Sequence, residues 1–267
     1  MSELRKKTSN TIAFHYIDSK DTDPKAWFYF MEKWFEEQGY PATRFSGKGR
    51  SNINFKNGKR ALEKDDFGQF ETQAIWIGSV WPDNNVGLEY VNCYFSTVLD
   101  CHRDFKRNVC HLCWDDSILP ATKDLLKELV KKIESFCKPK YGYFFQMPFG
   151  KGPLLYADGS LLGNHFTDKE RSEINNWNIT GLADLDDPDY KPHMIRDIYP
   201  FNFLSPQHLK GDIGDITLEQ WILKDPSHGT LEEIAPNFWC WSVEEENIQK
   251  IREALRPQNV IIAFMDF

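Results

Sequence analysis

Between Asp23 and Gly39 the chain carries Trp27, Phe30, Met31, Trp34 and Phe35 at i, i+3, i+4, i+7 and i+8, a spacing that places four aromatic rings and a thioether along one side of a helix. A stripe this apolar is stable only against another layer, so the rest of the chain must present a broad apolar surface to it. Asp23 is suited to accept the first free N–H groups, Pro24 has no N–H to lose at the first helical position, and Gly39 stands where a left-handed cap belongs. A second helix of the same kind is expected over residues 122–137, with Leu126, Leu129, Val130, Ile133 and Phe136 in phase and Lys138-Pro139 as its stop.

Strand patterns surround these helices. Residues 11–17 (TIAFHYI) read as a strand, 42–45 as a short extended piece, 59–64 as a small helix, and 74–80 and 88–99 as an antiparallel pair about the turn signal Pro82-Asp83-Asn84-Asn85. A Cys- and His-containing connection follows, and after the second helix comes a strand at 141–147. This order predicts an α+β fold in which amphipathic helices cover a mainly antiparallel sheet. From Phe149 the pattern loosens through Gly150, Gly152, Pro153, Gly159 and Gly163. Thr217 with Gln220 predicts a capping box for a short helix through Trp221 and Leu223, and Ser242 with Glu245 another for a helix over 243–255. With an apolar strand at 260–265, the end of the chain reads as a second, smaller strand-helix-strand unit; the expected division is 1–148 and 149–267, packed as one compact unit. No internal repeat or low-complexity tract breaks this pattern.

Charge narrows the function classes. Lys plus Arg total 32 against 40 Asp plus Glu, a net charge of -8, which disfavours a general nucleic-acid binder working by phosphate neutralisation and suits a basic partner. No stretch approaches the roughly 20 apolar residues of a membrane span, and residues 1–10 lack the apolar core of a signal peptide, so a cytoplasmic protein without membrane contact is expected. Cys93, Cys101, Cys110, Cys113, Cys137 and Cys240 fall in strand-like or helix-like runs, as reduced thiols do.

Cys101-His102 followed by Cys110-His111-x-Cys113 brings soft donors close together, and Cys101, Cys110, Cys113 and His111 are the zinc set it offers. Only Cys110 and Cys113 have the C-x-x-C spacing of a zinc knuckle, so thiols half-buried in a loop beside Trp114 are the favoured reading and no cofactor is expected. Asp184, Asp186, Asp187 and Asp189 fail the calcium-loop pattern, since Asp189 and Ile195 stand where Gly and Glu are needed. An acidic exposed loop suited to Lys or Arg of a partner is expected there instead. Residues 46–51 (SGKGRS) and 150–153 (GKGP) complete no phosphate loop, and the seven histidines form no H-E-x-x-H. Most of the nine Trp, ten Tyr and twenty Phe are expected in the core, any exposed remainder serving as a protein-binding patch.

Tyr141-Gly142-Tyr143, the run 152–159 (GPLLYADG), the run 195–204 (IRDIYPFNFL), Trp221-Ile222, Gly229-Thr230-Leu231 and the run 239–243 (WCWSV) resemble a pattern in small bacterial proteins, some of which resemble immunity proteins of polymorphic-toxin and type VI secretion systems. The resemblance covers the C-terminal half and carries no catalytic signature. It implies an α+β cytoplasmic protein that binds and blocks a cognate toxin, with Arg196 and Asp197 either among its partner contacts or locking a turn with Tyr199, Pro200 and Asn202. The alternatives are an enzyme acting on a small molecule or nucleotide through groups that converge only in space, and a zinc-stabilised interaction module. Homo-oligomerisation is left open.

Overall fold

The computed structural model describes residues 6–47, 49–68, 74–82, 93–101, 108–161, 166–181 and 192–264. Two compact units divide it, residues 1–139 with 146–158 and residues 140–145 with 159–267. The strands pair antiparallel in both, so the α+β expectation is met.

The first unit runs β1 (Thr8–His15), α1 (Pro24–Glu37), β2 (Arg44–Gly47), β3 (Arg50–Asn54), α2 (Phe55–Lys64), β4 (Ile75–Val80), β5 (Cys93–Asp100), β6 (Val109–Asp115) and α3 (Lys123–Cys137). The chain returns to it through the last residues of β7 (Tyr141–Pro148) and then α4 (Pro153–Ala157). Six strands pair in the order β3-β2-β4-β5-β6-β1, with β1 and β6 aligned from Ser9 opposite Asp115 to His15 opposite Val109. β6 is covered on both faces. Trp34 of α1 meets Trp114 of β6 edge-on at 6.1 Å on one side, while Cys113 joins Trp76, Trp81, Phe149 and Leu154 of α4 on the other. Two-sided burial explains why every residue of β6 is buried and its polar/apolar alternation is lost, which is why CHLCW reads as a connection. The helix ends follow the expectation: Asp23 accepts from the Ala26 N–H at 2.9 Å, and Gly39 has φ +81°.

α2 starts earlier than its sequence pattern predicts, capped by the Asn54 side chain accepting from the Lys56 N–H, and Gly58 lets it lie directly on β2. A Cβ on Gly58 would stand 2.2 Å from Cγ of the fully buried Phe45. Ala normally favours a helix by about 1 kcal/mol over Gly. Here Gly58→Ala is expected to destabilise by about 1–3 kcal/mol through overpacking, read from a urea transition, and a variant as stable as the parent refutes the close approach.

The second unit begins with Tyr141 to Phe145 of β7 and continues through α5 (Asp168–Asn176), β8 (Phe201–Leu204), α6 (Pro206–Leu209), β9 (Asp212–Ile213), β10 (Ile216–Thr217), α7 (Leu218–Lys224), β11 (Thr230–Ala235), β12 (Phe238–Ser242) and α8 (Glu245–Leu255). Its strands pair β7-β8-β12-β11, with β9 and β10 as a separate ribbon. Thr217 and Gln220 form the predicted capping box of α7. Ser242 does not cap α8: β12 extends through it, pairing Ser242 with Phe201 and Thr230, and Glu244 takes the N-cap without a side-chain bond. The expected closing strand is also corrected. Ile261 makes a single parallel bridge to Ile195 and the chain then turns into a 3-10 segment, Ile262–Phe264.

Candidate functional site

The run 195–204 forms the polar centre of the second unit. Ile195 is tied by its bridge to Ile261, and the Arg196 N–H donates to the Tyr141 hydroxyl at 2.8 Å. The Arg196 side chain is fully buried, donates from Nη1 to the Tyr143 hydroxyl, and stands 3.6 Å from Oε1 of Glu173 on α5. Its guanidinium lies over the Tyr143 and Trp177 rings at 5.4 and 5.5 Å. Glu173 also accepts from the Tyr199 hydroxyl at 3.1 Å, and Tyr199 stacks on Tyr143 with centroids 4.3 Å apart.

Asp197 points into a second pair. Arg252 of α8 grips it with Nε on Oδ1 at 2.8 Å and Nη2 on Oδ2 at 2.6 Å, and Nη2 also reaches the Ile198 carbonyl at 3.1 Å. Burial pushes the Asp197 carboxyl up to about 6, with the Glu173 charge acting in the same direction and Arg252 opposing both. Asn202 closes the turn by donating to the Tyr199 carbonyl at 2.7 Å and accepting from the Tyr199 N–H at 3.2 Å. Nearby, His208 stacks on Tyr141 with centroids 5.2 Å apart and its Nδ1 lies 3.0 Å from the Ser205 hydroxyl. Burial lowers the His208 ring to about 3, with His193 adding to the effect, so the imidazole is neutral at pH 7.

Of the two alternatives left open for Arg196 and Asp197, partner contact or a locked turn, these placements fit the second. Both are interior, and their charges are turned toward Glu173 and Arg252. Asp184, Asp186, Asp187 and Asp189 lie outside the described residues. Tyr141 and Tyr143 are legible in the sequence only as part of the strand 141–147 and of the resembling run Tyr141-Gly142-Tyr143. Glu173 and Arg252 carry no signal at all, because ordinary charged helix positions look alike until tertiary structure buries them.

The Cys and His residues of the first unit lie within and around β6, where alternation turns Cys110 to one face and His111 and Cys113 to the other. Cys110 interacts with Cys137 of α3, and Cys101 lies near them. Cys113 lies beside Thr11 and Ser9 of β1. His111 turns Nε2 to Asp158 at 2.8 Å and packs against His15, ring centroids 5.2 Å apart. Burial pushes the Cys101 and Cys113 thiols up to about 12, and Asp100 adds to the effect at Cys101. Cys101, Cys110, Cys113 and His111 therefore do not converge, and among the described residues no three Cys, His, Asp or Glu side chains gather as a metal cage.

The fold has a solved counterpart. The chain is similar to Pseudomonas aeruginosa T6SS protein PA0821, with a TM-score of 0.60 and 10% identity over 96% of this chain and 77% of that one. At this identity the likeness is one of fold. No family model matches the chain, and no curated protein matches it by sequence. Among the described residues, no helix is long and apolar enough to cross a membrane.

Proposed function

We propose that this chain is a cytoplasmic binding protein of a type VI secretion setting that neutralises a cognate toxin by direct protein-protein contact. The observation that carries it is the fold likeness to a T6SS protein over 96% of the chain. Two features support it. The chain is acidic at -8, and Asp184, Asp186, Asp187 and Asp189 offer a dense set of carboxylates to a cationic toxin. The buried charges at Arg196 and Asp197 are committed to holding the second unit together, which suits a rigid scaffold for binding.

The test is co-expression with the secreted proteins encoded beside its gene. One of them is expected to arrest growth alone, to be tolerated when this chain is present, and to co-elute with it in a stoichiometric complex that weakens as salt rises. Reversing the four aspartates to lysine is expected to weaken that complex at least tenfold, about 1.4 kcal/mol or more. Rescue without a complex, or the absence of any complex with those proteins, overturns the proposal.

A further inference from the structure

The charge of this acidic chain is unevenly distributed. Residues 44–64 hold seven Lys and Arg against the single Glu63, leaving 25 basic against 39 acidic residues in the rest. The segment is β2, β3 and α2 of the first unit, and Arg44, Arg50, Lys56, Arg60 and Lys64 are all exposed. Lys59 is spent on Glu32 at 2.7 Å, and Glu63 accepts from the Tyr29 hydroxyl. The five exposed cations have no ion pair among the described residues.

The arrangement works against the helix that carries it. Lys56, Arg60 and Lys64 recur at i, i+4 and i+8 on one side of α2, where like charges one turn apart oppose helix formation. Lys56 also sits in the first turn, at the positive end of the helix dipole. Beside this helix β3 ends the strand order, an edge with no described strand on its outer side. A cationic strip next to an edge that no described strand covers is a surface for an anionic chain in extended form.

We infer that the β3 edge and the exposed face of α2 bind an acidic, extended protein segment, which adds alongside β3 and sets its carboxylates against Arg50, Lys56, Arg60 and Lys64, Arg44 being turned to the other face of the sheet by its neighbour Phe45. This contact is separate from toxin neutralisation and calls for a partner of opposite charge. Patch size decides against nucleic acid. Lys56 to Lys64 spans about 12 Å of helix, whereas a duplex carries a charge every ~1.7 Å and would run on over a surface rich in carboxylates. A short acidic segment ends where the cations end.

The full-length protein is titrated into a fluorescein-labelled peptide of about twelve residues alternating Glu and Thr, at low and at physiological salt, with fluorescence anisotropy as the readout. A single-stranded oligothymidylate of about the same charge is the second probe. The peptide is expected to bind more tightly than the oligonucleotide, to weaken with salt, and to lose at least tenfold in affinity to K56E/R60E/K64E, whose urea midpoint is checked against the parent. R50Q, which removes charge from β3 alone, is expected to lose affinity as well and keeps the test decisive if the triple variant misfolds. Equal binding by parent and both variants, no binding at low salt, or tighter binding of the oligonucleotide each overturn the assignment.

Discussion

Arg196→Met is expected to destabilise the protein by about 3–5 kcal/mol, the penalty for removing one partner of a buried ion pair. Methionine fills much of the aliphatic volume of arginine, so packing against Tyr143 and Trp177 is largely kept while the charge is lost. What remains is the Glu173 carboxylate, 12% exposed, together with the Asp197 carboxyl whose ionisation it already disfavours. The Tyr143 hydroxyl loses its guanidinium donor in the same step. A companion variant separates charge from shape: R196M with Glu173→Gln removes the carboxylate that has lost this cation and should recover a substantial part of the loss, a coupling that two independent sites would not show. Urea unfolding of the parent, both single variants and the double variant measures it. A loss within about 1 kcal/mol for Arg196→Met would show that Arg196 is not the anchor of this unit.

That cluster marks the limit of what is legible in the chain. α1 can be read because Asp23, Pro24 and Gly39 bracket an in-phase apolar stripe, and the structure buries Trp27, Met31, Trp34 and Phe35 as the stripe requires. Helical phase was less reliable at its margin, since Phe28 is fully buried while Phe30 stays half-buried. β6 was hidden for the opposite reason. Cys110, His111 and Cys113 look like ligands in a loop, but a strand sandwiched between α1 and α4 needs no alternation, and small thiols pack there as hydrophobes. The Arg196 cluster assembles residues from 141 to 252, and its members are ordinary charged or aromatic positions until β7, α5 and α8 converge on the run 195–204. Local pattern finds elements whose stabilising partners are near in sequence. It does not find a site whose partners lie up to 55 residues away.

The same unit should carry an acid-sensitive contribution to stability from His208. Unfolded, its imidazole gains a proton near pH 6.5, whereas in the fold burial holds it to about 3. Between those values the unfolded chain binds the extra proton. The contribution is therefore whole above pH 6.5 and declines as pH falls toward 3, by up to about 1.4 kcal/mol per pH unit. Asp197 runs the other way. Its carboxyl titrates at about 6 in the fold against 3.8 when free, so the folded chain binds the extra proton in that window and gains stability as pH falls through it. The parent thus shows a muted acid limb, the difference of two opposed terms, and substitution separates them. His208→Gln keeps a neutral group able to meet the Ser205 hydroxyl and removes the titrating ring. Whatever it costs at pH 7, the gap between variant and parent should shift in the variant's favour by about 2–3 kcal/mol at pH 4.5, because only the parent must hold a histidine uncharged there. Asp197→Asn should do the reverse and steepen the acid loss, since it removes the offsetting proton uptake. Urea unfolding at the two pH values decides the matter: a gap for His208→Gln that does not change with pH would mean that water or a charged partner reaches the imidazole, and that the ring ionises in the fold much as it does in the unfolded chain.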